Sequence, residues 1–128
     1  MNTPVSFEIA KLLKEKGYSQ QGFPYYSKDL DFDDIELNHH YRDFYPENGY
    51  ETFTAPTIAE VVMWLYDEQG IWVVVNIAID DKWYFELYNL KDKRNAEIFI
   101  NNENITDFHN SPTESYESAI EYTLKNLI

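Results

Sequence analysis

The stretch Ile71–Ile79 (IWVVVNIAI) constrains the fold of this chain more than any other part of its sequence. Every residue in it is apolar except Asn76, and β-branched residues predominate. A run of this kind is typical of a strand covered on both faces, because polar residues do not alternate with the apolar ones. Gly70 precedes the run, and the turn residues Asp80–Lys82 follow it. We therefore predict a central β-strand over Ile71–Ile79.

Further strands follow this run and predict an antiparallel meander. Trp83–Leu90 (WYFELYNL) is the second predicted strand and Ala96–Ile100 (AEIFI) the third, with polar residues between them. Ile105–Phe108 is a candidate fourth strand, reached through Asn101–Asn104. Short polar connections of this kind join neighbouring antiparallel strands. The sheet is therefore expected to comprise three to four strands within residues 71–108.

The first predicted helix begins close to the N-terminus. Thr3 is a suitable N-cap, and Pro4 then takes the first helical position, where its missing N–H has no cost. Gly17 supplies a left-handed residue at the C-terminal end, after Lys14 and Lys16, whose charges favour the negative end of the helix dipole. The apolar stripe expected to face the core is Val5, Ile9, Leu12 and Leu13.

Two more predicted helices flank the meander. The second starts with Thr57–Glu60, which is a capping box, and stops at Gly70. The third runs from about Ser115 to Leu127. The buried face expected for the second helix is Ile58, Val61, Val62 and Leu65. The face expected for the third is Tyr116, Ala119, Ile120, Thr123, Leu124 and Leu127.

The segment 18–54 is dense in aromatic and acidic residues and is harder to interpret. Short strands are predicted around Tyr25-Tyr26, Ile35–Leu37 and Tyr50–Thr54, since a structureless loop of this length is unusual in a compact domain. With no linker in the chain, we predict one α+β domain over residues 1–128. Three helices pack on the antiparallel meander, and the short strands of segment 18–54 are candidates to extend that sheet.

The net charge of −13 limits the partners that the chain can bind. Such a field repels nucleic-acid phosphates and anionic membranes, so we expect no direct binding to either and a preference for a protein with a basic surface. Cysteine is absent, which excludes disulfides and thiolate metal sites. No signal peptide is visible at Met1–Pro4, and the apolar run Ile71–Val75 is far shorter than the roughly 20 residues that a bilayer requires. We therefore expect a cytoplasmic protein.

The acidic run Asp29–Asp34 (DLDFDD) has only part of the pattern of a calcium loop. A helix–loop–helix calcium site needs glycine at its sixth position and a bidentate glutamate at its twelfth. Here those places hold Asp34 and His40. A strand or turn with a solvated acidic face is therefore the favoured interpretation of this run.

Histidine is the other residue type that could support metal chemistry. His39 and His40 are adjacent, so they cannot easily converge on one ion, and the fold would have to bring His109 or a carboxylate to them. The sequence lacks the signatures of zinc hydrolases, the serine-hydrolase elbow and a phosphate-binding glycine loop. We therefore predict no catalytic residue, no metal site and no cofactor. A small metal-assisted hydrolase that uses His39, His40 or His109 with a nearby aspartate is kept as an alternative.

The tyrosines of segment 18–54 are the candidate partner-binding residues. Tyrosine is a favoured anchor at protein interfaces, although the same rings could equally pack under the strands. The leading hypothesis is a non-enzymatic protein that binds another protein through this acidic, Tyr-rich surface. A narrower alternative is a nucleic-acid mimic whose carboxylates occupy a DNA-binding host protein. The candidate residues are Tyr25, Tyr26, Tyr41, Tyr45 and Tyr50.

Three stretches resemble a known group of proteins: Ser6–Gly17 (SFEIAKLLKEKG), Ala55–Trp72 (APTIAEVVMWLYDEQGIW) and Tyr116–Ala119 (YESA). The group consists of small uncharacterised proteins encoded by gut bacteria and by their phages or prophages. Its members share a similar first helix, an Ala-Pro-Thr start to a second helix, an aromatic hairpin and a C-terminal helix. Agreement is weak in residues 18–54 and 91–112. No activity is known for the group, so the resemblance implies a phage or mobile-element accessory protein and assigns no functional residue.

Overall fold

The computed structural model describes residues 1–18, 24–32, 34–38, 50–90, 97–101 and 108–128, with the backbone alone for 97–101. These residues form a helix, three strands, a second helix, three further strands and a third helix. All strand pairs are antiparallel, which confirms the predicted α+β class. Two compact units divide the chain: an N-terminal unit, Asn2–Thr57, and a C-terminal unit, Ile58–Ile128 with Met1. The single domain expected over residues 1–128 stays a prediction.

The first helix, α1 (Phe7–Glu15), begins later than the sequence predicts. Its N-cap is Ser6, whose Oγ accepts a backbone N–H hydrogen bond at 3.4 Å, and the predicted cap Thr3 is wrong. Pro4 lies instead in an isolated β-bridge with Thr57. Thr3 and Ser6 are both suitable caps. The bridge decides between them, because it holds the backbone extended through Pro4.

The C-terminal end of α1 follows the prediction. Gly17 adopts a φ of +85°, a left-handed conformation that glycine reaches without steric cost. Lys14 lies in the last turn of the helix. The residues of this segment that are fully or almost fully buried are Val5, Ile9, Ala10 and Leu13, while Leu12 is half-buried. The predicted apolar stripe is therefore largely confirmed.

The short strands predicted in segment 18–54 are present as β1 (Tyr25–Asp29), β2 (Ile35–Asn38) and β3 (Tyr50–Thr54). They pair in the order β2–β1–β3. Both edges of β1 are therefore paired within the N-terminal unit. These strands form a sheet of their own, and they do not extend the predicted meander.

Phe7 packs α1 against this sheet, although it lies off the predicted apolar stripe. Its ring meets Tyr26 and Phe53 edge-on, with centroid distances of 5.6 and 5.1 Å. Tyr26 and Phe53 are directly paired across β1 and β3, so their side chains share one face of the sheet. Edge-to-face contacts of this kind are favoured by the aromatic quadrupole.

The C-terminal unit contains the predicted meander, formed by β4 (Ile71–Ile77), β5 (Trp83–Asn89) and β6 (Glu97–Asn101). The three strands lie in the order β4–β5–β6. The expectation that β4 is a central strand covered on both faces is therefore wrong, because β4 is an edge strand and β5 is central. Residues 102–107 are not described, so the candidate fourth strand, Ile105–Phe108, lies almost wholly outside the described residues.

Burial along β4 shows why the sequence misleads. Ile71 and Val73 are buried, whereas Trp72, which points to the opposite face, is 36% exposed, and Ile77 is exposed. Apolar side chains occupy both faces of β4, so the usual alternation of polar and apolar residues is missing. Strand order depends on distant parts of the chain, and an apolar run cannot reveal it.

The second helix, α2 (Ile58–Gln69), starts and ends as predicted and packs on β4. All residues of its predicted face, Ile58, Val61, Val62 and Leu65, are buried. Gly70 has a φ of +66°, which lets the chain leave the helix and enter β4 at once.

The third helix, α3 (Pro112–Asn126), begins about one turn earlier than the sequence predicts and packs on β4 and β5. Ser111 is its N-cap, with Oγ accepting a hydrogen bond from the Glu114 N–H at 3.2 Å, and Pro112 takes the first helical position. Ser115, which is the predicted start, is a buried residue inside the helix. No helix among the described residues is long and apolar enough to cross a bilayer.

Candidate protein-binding site

One end of the N-terminal sheet gathers the acidic run and several exposed apolar side chains. β1 ends there, while β2 and β3 both begin there, because each is antiparallel to β1. Asp29 is paired with Tyr50, and Lys28, which precedes it in β1, is paired with Ile35. We call this surface the acidic sheet end. It comprises Asp29, Leu30, Asp31, Phe32, Asp34, Ile35, Glu36 and Tyr50.

Asp29 fixes the backbone of the turn between β1 and β2. Its Oδ1 accepts hydrogen bonds from the backbone N–H groups of Asp31 at 2.8 Å and Phe32 at 3.3 Å. Its own N–H donates to the Asp34 carbonyl at 2.8 Å. Aspartate favours turns for this reason, since its side chain can replace a backbone acceptor. Asp31 and Asp34 are exposed, which confirms the predicted turn with a solvated acidic face.

Large apolar side chains project from this turn into solvent. Phe32 is 76% exposed and Leu30 is 58% exposed, and Ile35 and Tyr50 are also exposed. A single exposed apolar residue is ordinary on a protein surface, but a group of them at one ordered site is typical of an interaction surface. The acidic sheet end therefore combines apolar contact area with several carboxylates.

The predicted partner-binding tyrosines have different fates. Tyr25 is only 2% exposed, so it offers no surface to a partner, and its selection is corrected. Tyr26 is half-buried, and its hydroxyl donates to the Val5 carbonyl at 2.7 Å. Tyr50 is exposed at the acidic sheet end. Tyr41 and Tyr45 lie outside the described residues.

Sequence reasoning missed the residues that the turn exposes most. Leu30 and Phe32 alternate with aspartates in the sequence, but alternation does not show which face is buried, so it could not identify these two residues as exposed. Tyr25 and Tyr26 are neighbours on a strand and so point to opposite faces, which means that both could not lie on one exposed surface.

His109 belongs to a structural contact in the C-terminal unit. Its Nδ1 lies 2.8 Å from Ser115 Oγ, and its ring stacks on Phe85 with a centroid distance of 6.2 Å. Its backbone also exchanges two 2.8 Å hydrogen bonds with Trp83. Ser115 is fully buried, so no substrate can reach its hydroxyl. No sequence pattern predicted this Ser–His contact, which connects the first turn of α3 to the residue paired with β5.

The residues of the alternative metal-assisted hydrolase are only partly described. His39 and His40 lie outside the described residues, as does Asp33 of the acidic run. Within the described residues, no group of three or more histidine, aspartate or glutamate side chains is placed to hold a metal ion.

Comparison with known proteins adds no family to these observations. No protein-family model, curated protein or solved structure matches the chain significantly.

Proposed function

We propose that this protein is a non-enzymatic binding protein that engages a basic surface of another protein through the acidic sheet end. One observation carries the proposal: Phe32 is 76% exposed on a turn whose backbone is held by Asp29. An apolar ring displayed on an ordered turn loses little conformational entropy when a partner covers it.

The apolar and charged groups of the acidic sheet end have different roles in this proposal. Covering an exposed phenylalanine side chain contributes roughly 1.5–3 kcal/mol, so Phe32 is the proposed anchor. Asp31, Asp34 and Glu36 are exposed residues of the same acidic sheet end, and we assign their carboxylates to the rim of the interface. Charges at a rim mainly accelerate association and select the partner, and contribute less to affinity. A basic partner is expected from these charges and from the net charge of −13.

The biological setting is part of the same proposal. The resemblance to proteins of gut bacteria and their phages suggests an accessory protein of a phage or mobile element, acting in the cytoplasm. The partner would then be a host or phage protein.

Exchanging Phe32 for alanine tests the proposal, with Ile79→Ala as the matched control. Ile79 is 84% exposed beside Asp80 and Asp81, so it presents a similar apolar group next to carboxylates on another turn. Affinity capture from a bacterial lysate, quantified by mass spectrometry, should recover a specific partner with the wild-type chain and with Ile79→Ala. Phe32→Ala should weaken that complex by about 30-fold, the size of a typical anchor effect. Equal capture by both variants would contradict the proposal.

Salt dependence separates this proposal from nucleic-acid mimicry. A mimic holds its partner through screened charge attraction, so its complex should weaken steeply with salt and ignore Phe32→Ala. The complex proposed here should tolerate moderate salt and depend on Phe32. The double variant Asp31→Asn with Asp34→Asn should mainly slow its association.

A further inference from the structure

The C-terminal sheet has a second face whose composition differs from that of the acidic sheet end. Phe85 and Leu87 of β5 are buried on the inner face. Their neighbours on β5 point the opposite way, because side chains alternate along a strand. We call this opposite side the outer face. It comprises Trp72, Val74 and Asn76 of β4 with Tyr84, Glu86 and Tyr88 of β5, and none of these residues is fully buried.

Aromatic rings dominate the outer face. Trp72 is directly paired with Tyr88 across the two strands. Tyr66 of α2 meets Trp72 edge-on at 5.4 Å, and Tyr84 meets Phe108 edge-on at 6.1 Å. Such contacts orient the rings and limit their motion. The outer face therefore presents partly exposed rings, and two of them, Trp72 and Tyr84, are oriented by an edge-on neighbour.

Glu86 is the single charged residue among the outer-face residues named above. It lies between Tyr84 and Tyr88 on β5, about 7 Å along the strand from each, and opposite Val74. The Tyr88 hydroxyl donates to Glu86 Oε2 at 2.5 Å. Within the described part of the chain, Oε1 of Glu86 accepts no hydrogen bond, and no lysine or arginine pairs with this carboxylate.

The pKa of Tyr88 reflects its contact with Glu86. The pKa of Tyr88 is raised, first because its hydroxyl donates to Glu86 and then because of burial and the nearby negative charge. Glu86 is half-buried among aromatic rings, and its Oε1 is left accessible by the Tyr88 hydrogen bond to Oε2. A cation placed there would meet both the carboxylate and the negative faces of the rings.

We infer that Glu86, Trp72, Tyr84 and Tyr88 form a binding site for the guanidinium group of an arginine side chain. Guanidinium is planar, so it can stack on a ring while its N–H groups donate to Glu86 Oε1. It is also more weakly hydrated than an ammonium group, which makes its transfer to a half-buried aromatic surface less costly. This site goes beyond the proposed function and does not depend on it, because no residue of the acidic sheet end takes part.

Titration with N-acetyl-arginine amide tests this site, and N-acetyl-citrulline amide is the matched neutral control. The readout is the indole N–H resonance of Trp72, followed by NMR. We expect saturable shifts with an affinity on the order of millimolar, as suits one exposed cation site. Citrulline amide should leave the resonance in place. Equal shifts with citrulline amide would overturn the inference.

Variants of the carboxylate and its neighbour define the chemistry. Glu86→Gln keeps the shape and removes the charge, and it should weaken arginine amide binding at least roughly fivefold. Tyr88→Phe keeps the ring and releases Oε2, so binding should persist or strengthen. Unchanged binding to Glu86→Gln, with its fold verified by circular dichroism, would overturn the site. N-acetyl-lysine amide that binds as tightly as the arginine compound would overturn the assignment to guanidinium.

Phe32→Ala keeps the two proposals distinguishable. This variant should titrate with arginine amide like the wild-type chain, whereas Glu86→Gln should still capture the protein partner of the acidic sheet end.

Discussion

Two hairpin connections of this protein share a sequence pattern and differ in the structure of their described residues, which leave out Asp33 of the first connection. Leu30–Asp34 (LDFDD) and Ile77–Asp81 (IAIDD) both read as apolar, any residue, apolar, aspartate, aspartate. Each turn exposes its second apolar residue strongly, with Phe32 at 76% and Ile79 at 84%. The first turn joins β1 to β2 and the second joins β4 to β5.

The two turns are held by different means. Asp29 holds the first through hydrogen bonds from its side chain to two backbone N–H groups. In the second, Asp80 and Asp81 themselves adopt left-handed conformations, with φ of 61° and 56°. Such values have a steric cost for residues other than glycine, although aspartate adopts them more readily than most. A side-chain acceptor thus stabilises the first turn, whereas the second turn carries the cost of two left-handed residues.

This difference shows that a shared pattern does not define a shared surface. Phe32 has other exposed apolar residues around it, namely Leu30, Ile35 and Tyr50, because three strand ends meet there. Ile79 lies beyond the end of an edge strand with Ile77 exposed near it. An aromatic anchor surrounded by other exposed apolar side chains is typical of a protein interface, whereas a pair of exposed aliphatic side chains is not.

Removing a buried phenylalanine ring should have the largest effect on stability, and removing the exposed ring of Phe32 is the comparison. Phe85 is fully buried, and its ring stacks on His109. Phe85→Ala should therefore lower the free energy of unfolding by about 3–5 kcal/mol. Phe32→Ala should change it by less than about 0.5 kcal/mol, because the ring contributes little to folding. Urea denaturation measures both. A large loss of stability in Phe32→Ala would mean that its ring packs in the fold and is not free for a partner.

Removing the side chain that holds the first turn should have the next largest effect. Asp29→Ala deletes two hydrogen bonds to backbone N–H groups, so we expect the unfolding free energy to fall by about 1 kcal/mol. Amide hydrogen exchange at Asp31 and Phe32 should become faster. Asp31→Ala is the matched control, since it removes an exposed carboxylate from the same turn. Equal destabilisation by the two variants would show that Asp29 does not hold the turn.

Relieving the strain of the second turn should have a smaller effect of opposite sign. Asp81→Gly places glycine at a φ of 56°, so it should raise the unfolding free energy by about 0.5 kcal/mol after the entropic cost of glycine. Asp31→Gly in the first turn should bring no such gain. Thermal unfolding followed by circular dichroism can resolve the pair. A loss of stability in Asp81→Gly would contradict the strain assigned to this turn.

The smallest expected effect concerns a row of carboxylates outside both turns. Burial raises the pKa of Glu117 on α3, and the charges of Glu121 and Glu114 raise it further. A carboxyl group with a raised folded-state pKa favours folding when it is protonated and loses that contribution as pH rises through the folded pKa. Glu117→Gln should therefore stabilise the protein at pH 7 by about 0.3 kcal/mol, and the gain should vanish below the ordinary glutamate pKa.

Unfolding curves at several pH values measure this dependence. Glu121→Gln is the control, because Glu121 also pairs with Lys125 at 2.6 Å and should gain less from losing its charge. A stabilisation by Glu117→Gln that is the same at pH 3 and pH 7 would contradict the assigned cause.

Local patterns predicted the parts of the fold that local forces determine. The capping box and the spacing of Ile58, Val61 and Leu65 placed α2 and its buried face correctly. Gly17 and Gly70 marked helix ends because only glycine adopts a positive φ without strain there. Long-range pairing explains the errors: the Pro4 bridge to Thr57 delays α1.

The candidate site could be predicted only in part. The acidic run was predicted to be a strand or turn with a solvated acidic face. Among its described residues, Asp31 and Asp34 are exposed next to a turn, which aspartate stabilises locally. Burial of Tyr25 and exposure of Phe32 depend on which face each strand buries and on where three strand ends meet. Strand order and packing set both features, and a single sequence does not specify them.

Photo-cross-linking from position 32 tests the central claim most directly. A photoreactive phenylalanine, p-benzoylphenylalanine, would replace Phe32 in one chain and Ile79 in another, each expressed in bacterial cells and irradiated there. We expect the chain substituted at position 32 to form one dominant adduct with another protein, and the chain substituted at position 79 to form none. Equal adducts from both positions, or none from position 32 with a properly folded chain, would contradict the claim that the acidic sheet end binds a protein.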